Sequence, residues 1–431
     1  MKAKLISLVA VIAIGLLVTI MTISNYSAVE KEYNTNIAAA RRNAEKQIPY
    51  NAYNYYQTAF AIRCEDESVY KEYLEQAKLL GGSFYNTAIE EYVTRFPNSP
   101  EANELLCRMY YERGSYTLLL DAALVARERG AATEQIKNWY NECAYMLKTL
   151  SNGVEEAYSF IGDVAMVKIN GMYGFINTNG DSMLPPIYTQ ASAMMGANAA
   201  VNDGEEWHII NRGGYKVART SSPVDYMGIL IGGKIPIGKD GKYAYTNTGL
   251  QVPEELPYDY ASNFKNGVAA VKKGNRWALI DINEELITDY VFEDVVLDEF
   301  NTCHTAGVIF VKKDGKYYMA NANGQKITEN SFDDVKPFVG TEPAAVCVGG
   351  KWGFVDTAGN WVMEPQFEDA SSFSIGLAGV CKDGLWGYIN KSGTVMIAHQ
   401  FEDCLPFTSN GITAVKENEI WKYVQLLPYY K

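Results

Sequence analysis

The sequence is poor in the residues that carry out chemistry. It holds only 3 His, and His208, His304 and His399 lie far apart in unlike contexts. No G-x-S-x-G motif accompanies them, so a hydrolytic triad is not expected. The 7 Cys (Cys64, Cys107, Cys143, Cys303, Cys347, Cys381, Cys404) are odd in number and widely spaced in apolar contexts. With no CxxC and no His/Cys cluster of zinc spacing, they read mostly as buried small hydrophobes, not as a disulfide framework. Positive charge is also short, with 38 Lys+Arg against 51 Asp+Glu giving a net charge of -13. That balance opposes the counterion release on which nucleic-acid binding depends, and excludes DNA or RNA as the expected partner. Gly228 to Lys234 superficially suits a phosphate loop, but Ile235 stands where Ser or Thr is required and the segment opens no helix. No catalytic residue, cofactor site or metal ligand is assigned, and an enzyme with an unrecognised constellation is the remote alternative.

What is present is a globular composition over 431 residues, 48% hydrophobic and 21% charged, with 13% aromatic residues. Met1-Lys2-Ala3-Lys4 precedes an uncharged run from Leu5 to Ile23. A helix over that run is roughly 28 Å long, enough to span a bilayer. Tyr26-Ser27-Ala28 is a poor cleavage site, so an uncleaved anchor is expected in preference to a signal peptide. Lys2 and Lys4 keep the N-terminus inside by the positive-inside rule. The expectation is a single-pass protein of the cell membrane, held by its N-terminal helix, with the bulk of the chain extracytoplasmic.

From about Val29 to Leu150 the hydrophobic period is helical, broken at Pro49, Gly81-Gly82, Pro97 to Pro100, Gly114 and Gly130. Six or seven helices in antiparallel hairpins follow, with Ser99 as an N-cap and Pro100 at the first helical position. Ala88-Ile89-x-x-Tyr92, then Phe96-Pro97-x-Ser99-Pro100-x-Ala102, resembles the junction between tetratricopeptide repeats. Leu106, Cys107, Tyr110, Gly114, Tyr116 and Ala126 continue the pattern, while Leu119 and Ala131 depart from it.

The remainder repeats eight times. A single aromatic recurs at Tyr173, Trp207, Tyr243, Trp277, Tyr317, Trp352, Trp386 and Trp421, spaced by 34, 36, 34, 40, 35, 34 and 35 residues. Six residues before each stands a β-branched residue: Val167, Val201, Ile237, Val271, Val311, Val346, Val380 and Val415. Asn170-Gly171, Asp240-Gly241, Asp314-Gly315 and Asp383-Gly384 predict two-residue hairpin turns. A second turn follows at Asn177 to Gly180, Asn321 to Gly324, Asp356 to Gly359 and Asn390 to Gly393. Each unit is therefore a meander of about three short strands, followed by an aromatic and acidic residues as in Phe367-Glu368-Asp369.

Lys351-Trp352-Gly353-Phe354-Val355-Asp356 with Glu364-Pro365-Gln366-Phe367-Glu368-Asp369 resembles the WG-containing repeat family of bacteria. The resemblance implies a repeat module with no characteristic catalytic activity. Units of about 35 residues must stack to share a core. They are short for propeller blades, which usually hold four strands in about 40 or more residues, so an open twisted solenoid is expected over a closed propeller. The last unit reads as a terminal cap that stops after one hairpin.

The expected architecture is thus a single transmembrane helix (1–25), an all-α tetratricopeptide-like region (26–152) and an all-β repeat array (160–431). The repeated aromatics read as shared core and the acidic pairs as solvated turns, with calcium binding as the weaker reading of the latter. The expected function is a non-catalytic scaffold for a protein partner. The alternative is a cell-wall or glycan-binding module, which needs some of the eight aromatics exposed.

Overall fold

A computed structural model describes residues 26–151 and 153–429. The chain divides into two compact units, the first running to Ala144 and the second from Tyr145. The expected anchor over 1–25 lies outside the described residues. Among the described residues no helix is long and apolar enough to cross a membrane, and the first helix already carries Glu30, Lys31, Glu32, Arg41 and Arg42. The single-pass membrane assignment is corrected accordingly: no helix among the described residues supports it.

The first unit contains, among its described residues, helices α1 (26–45), α2 (Pro49–Ile62), α3 (Glu67–Leu80), α4 (Gly82–Arg95), α5 (Pro100–Glu112), α6 (Tyr116–Glu128) and α7 (Glu134–Cys143). The breakers act as their chemistry requires. Pro49 and Pro100 open helices, where a missing N–H costs nothing, and Ser99 accepts the backbone N–H of Ala102 as the N-cap of α5. Small and large residues alternate in the shared core, with Ala59, Ala77, Ala88 and Ala102 among Tyr56, Tyr70, Tyr73 and Tyr92.

The second unit is a ring of eight small antiparallel sheets. In the seventh, the strands run Asp369–Ala370, Leu377–Lys382, Leu385–Asn390 and Val395–Phe401, from an inner two-residue strand to an outer one. The eight β-branched repeat residues lie on the second strands and are at most 4% exposed. Asn170, Asp240, Asp314 and Asp383 and the glycines after them all take positive φ, as the hairpin turns demand. Asn177, Asn321, Asp356 and Asn390 each accept two backbone N–H groups from the turn that follows.

No sheet buries both faces alone, so the core lies between neighbours. Each of the eight interfaces has its own buried cluster, for example Ala345 and Phe354 of the sixth sheet against Ala370, Phe373 and Val380 of the seventh. The eighth interface joins the end of the unit to its beginning. Ile412, Ala414 and Tyr423 pack with Val154, Phe160, Val167 and Ile176 of the first sheet.

This overturns the open solenoid: the unit is an eight-bladed β-propeller. Two features reconcile 35-residue units with a closed ring. The inner strand is only two residues long, which leaves room for a fourth strand in five of the eight blades. The last blade borrows its outer strand, since Leu147–Thr149 pairs with Ile420–Leu426, and Leu150 and Val154 donate backbone N–H groups to Tyr423 and Trp421. Residues assigned from sequence to the helical region therefore close the ring, and the last unit is not a cap.

A glycine after the repeat aromatic accompanies the longest outer strands, while the second blade, with His208 there, keeps a shorter one, Lys216–Arg219. A Cβ on Gly174, Gly353 or Gly387 would meet outer-strand backbone at 2.7, 2.6 and 2.6 Å, closer than real contacts allow. Those three blades carry seven-residue outer strands, Ser182–Tyr188, Trp361–Phe367 and Val395–Phe401. Where Ala244, Ala278 or Tyr318 replaces the glycine, the outer segment is reduced to isolated bridges such as Tyr243 with Tyr258 and Trp277 with Phe292.

Candidate ligand-binding cavity in the central channel

The inner strands ring the channel, and their first residues occupy one register position in all eight blades: Glu156, Gln190, Tyr226, Tyr260, Asp294, Asp334, Asp369 and Asp403. Chemistry changes around the ring. The second to fourth blades form an aromatic arc in which Trp207, Tyr226, Tyr243, Tyr260 and Trp277 follow one another at centroid distances of 6.2, 5.6, 5.2 and 5.5 Å. The fifth to eighth blades and the first present carboxylates instead. Tyr317 donates its hydroxyl to Asp294 at 2.9 Å, and Tyr158 and Lys168 hold Glu156 at 2.8 and 2.6 Å.

The acidic residue just before each inner strand has a different task. Glu155, Asp225, Asp259, Glu293, Asp333, Glu368 and Glu402 each accept a backbone N–H from the hairpin turn of their own blade. These carboxylates cap turns and are not loose solvated side chains. For Asp333, the Lys316 ammonium first, then the Gly349 N–H, holds the carboxyl below the usual carboxylate range.

One loop crosses the channel. The spacing of 40 residues between Trp277 and Tyr317 contains an insertion, Asp298 to Thr302, folded around Asp298, which accepts N–H groups from Phe300 and Thr302. Glu299 accepts the Ser159 N–H of the first blade at 2.8 Å. Asn301 bonds Tyr260 and Tyr226, while the buried Asn263 accepts the Ile229 N–H and donates to the Phe300 carbonyl. Glu299 is exposed to the channel yet enclosed by the ring on its other sides; this desolvation, opposed by the Ser159 bonds, raises its carboxyl above the ordinary range.

The loop forms a wall of two cavities. One, about 220 Å³, includes Tyr158, Tyr173, Trp207 and Tyr226 in its lining. The other, about 980 Å³, draws its lining from the fourth to eighth blades and the first, with Lys336, Phe338, Asp369, Trp386 and Asp403 among its side chains. Burial and the neighbouring Asp369 raise the Asp403 carboxyl, against the pull of Lys416 and Lys336.

The eight repeat aromatics are buried or half-buried, and none is exposed. They pack within and between blades, and Tyr173, Trp207, Trp277, Tyr317 and Trp386 also line cavities. Six of the seven cysteines are buried and all seven thiols are free. His208 and His304 are buried in the second and fifth blades, and Lys234 of the glycine-rich segment pairs with Glu284. Sequence reasoning missed the crossing loop and the large cavity, although the one long spacing signalled the former.

The WG containing repeat family model matches at residues 173–207, 257–277, 352–386 and 386–421, so the chain carries WG repeats. Most matches run from one repeat aromatic to the next, hence from the third strand of one blade to the third strand of its neighbour. No curated protein matches the chain in sequence. Similar solved structures include a eukaryotic initiation factor (13% identity, 64% of this chain and 86% of that chain, TM-score 0.43). Kluyveromyces lactis Hsv2 (9%, 64% and 97%, TM-score 0.35) and the AfRom2 CNH domain (9%, 65% and 98%, TM-score 0.34) are others. At these scores none carries an argument about function.

Proposed function

We propose that the protein is a non-catalytic scaffold whose propeller holds a protein partner at its central channel. The observation that carries this reading is the cavity of about 980 Å³, built from the loops of six blades and large enough to take a peptide segment. The rigidity of the ring supports it, since a closed set of blades fixes loops from distant parts of the sequence around one opening. None of the eight repeat aromatics is fully exposed, which favours a protein partner over a glycan laid along a row of open rings.

A photo-reactive amino acid placed at Ser409, on the cavity lining, tests the proposal, with Lys216 on an outer strand as the control position. The expected result is a discrete protein adduct at Ser409 that excess unmodified protein competes away, and none at Lys216. Equal labelling at both positions, or adducts that do not compete, overturns it.

A further inference from the structure

In four of the eight blades the repeat aromatic carries one of the chain's own lysines. Lys168 lies over Tyr173 at 5.4 Å, Lys272 over Trp277 at 5.6 Å and Lys312 over Tyr317 at 4.9 Å, each from the paired position on the second strand. In the sixth blade that position is Cys347, and the cation comes instead from the residue after the inner strand Asp334–Val335, with Lys336 over Trp352 at 5.1 Å. The seventh blade has neither source. Cys381 pairs with Trp386, and Ser371 stands where the sixth blade has Lys336, two residues after the leading Asp of the inner strand.

Trp386 is half-buried and lines the cavity of about 980 Å³ together with Asp369, Asp403 and Ser371. Among the described residues neither Asp369 nor Asp403 forms an ion pair; each accepts the backbone N–H of the residue that follows it. The two lysines of the lining are otherwise engaged, Lys265 with Asp298 and Lys336 on Trp352. Glu299 adds a further carboxylate from the crossing loop. An indole flanked by carboxylates in a partly enclosed cavity attracts an ammonium or guanidinium group by both ring quadrupole and charge.

We propose that a lysine or arginine side chain of a protein partner inserts into the channel and rests on Trp386 beside Asp369 and Asp403, in the place that the chain's own lysines take in neighbouring blades. This rests on the scaffold reading and adds the chemistry of the recognised residue. Size fits, because a cavity of this volume admits a basic side chain with the backbone that bears it. Charge fits too, since the chain as a whole is acidic at -13.

The test uses the full chain and a twelve-residue peptide carrying four lysines, beside the same peptide with glutamine in their place and N-acetyl-lysinamide alone. Binding is measured by calorimetry for every form and, where Trp386 is present, by its indole resonance as well. Saturable binding of the lysine peptide that shifts this resonance, at least about tenfold tighter than either control, is expected. Asp369→Asn with Asp403→Asn, and separately Trp386→Ala, weaken it at least about tenfold. Ser371→Lys supplies the missing cation and blocks the peptide; because it also removes the hydroxyl that accepts the Gly379 N–H at 3.0 Å, a cooperative melt retained by this variant separates loss of the site from loss of fold. Unchanged binding in Ser371→Lys, or equal affinity for the glutamine peptide, overturns the proposal. Equal affinity for N-acetyl-lysinamide overturns it in favour of a small cation. A competed adduct at Ser409 that persists in Ser371→Lys leaves the scaffold standing and removes only the cation site.

Discussion

His304 shows how much one residue of a repeat can carry. It stands three residues before Gly307, where Phe264 and Phe373 stand before Gly267 and Gly376 of their own blades. The ring is 6% exposed, and neither nitrogen has a hydrogen-bond partner among the described residues, although the Lys265 backbone lies close. Burial holds its pKa below the usual histidine value, and the same is true of His208 beside Lys216 and Asp203. Both imidazoles take up a proton less readily in the folded chain than in the unfolded one, whose histidines protonate as pH falls through about 6.5. Stability contributed by these sites is thus intact above that pH and lost below it. We predict that His304→Phe stabilises the propeller by about 1–3 kcal/mol, the cost of an unpaired buried polar group, with a larger gain at pH 5.5 than at pH 8. Denaturant unfolding at the two pH values checks this. A gain independent of pH would mean that packing, not protonation, limits this position, and His208 should preserve part of the acid sensitivity in the variant.

At the scale of the element, the outer strand is the variable part of the blade and glycine is its gate. The third strand of a glycine-bearing blade lets the outer backbone pass directly over its Cα, and pairing shifts register there, between Trp352 and Phe354 and between Trp386 and Tyr388. A methyl group at this point must push backbone, which cannot yield as a flexible side-chain tip would. Gly353→Ala should therefore cost about 1–3 kcal/mol by overpacking and release Trp361–Phe367 from the sheet. Hydrogen exchange would record this as fast exchange in the outer strand with the second strand, Ala344–Val348, still protected. The reverse change at Ala278 lacks an outer strand to admit, and should cost only the roughly 0.5–1 kcal/mol of a glycine in a strand. Similar losses at both positions would refute the gating role. Much of this was legible in the sequence: the second-strand valines, the Asn-Gly and Asp-Gly turns and the aromatic register all appear in the fold as their chemistry predicts. The strand count was not, because an inner strand of two residues such as Asp369–Ala370 has no periodicity to detect.

Closure of the whole molecule was illegible for a related reason. Leu147–Thr149 carries no repeat signature and follows a helical region directly, so nothing local separates it from the end of α7. Its role arises only because the sequence repeat is out of phase with the blade. A repeat that begins on the third strand leaves the final third strand, Ile420–Leu426, without an outer neighbour from its own side, and the start of the unit supplies one. The cavity was hidden likewise, since Asp298 to Thr302, Trp386 and Asp403 meet only once the ring is closed. This phase offset makes a sharp prediction about where the unit begins. A fragment from Tyr145 retains the closing strand, the N–H groups of Leu150 and Val154, and the Tyr423 hydroxyl donating to the Tyr158 carbonyl at 2.7 Å, and should unfold in one cooperative transition. A fragment from Glu156 keeps every blade residue of the repeat array and the Tyr423–Tyr158 bond, but loses the closing strand, the Leu150 and Val154 N–H groups and the burial of Val154. It should be less stable by on the order of 6–9 kcal/mol, from about three hydrogen bonds near 1 kcal/mol each and the Leu147 and Val154 side chains near 1.5–3 kcal/mol each. It should also self-associate, because Ile420–Leu426 becomes an open edge. Denaturant midpoints and sedimentation of the two fragments decide the matter: equal midpoints and two monomers would mean that the ring does not depend on its borrowed strand.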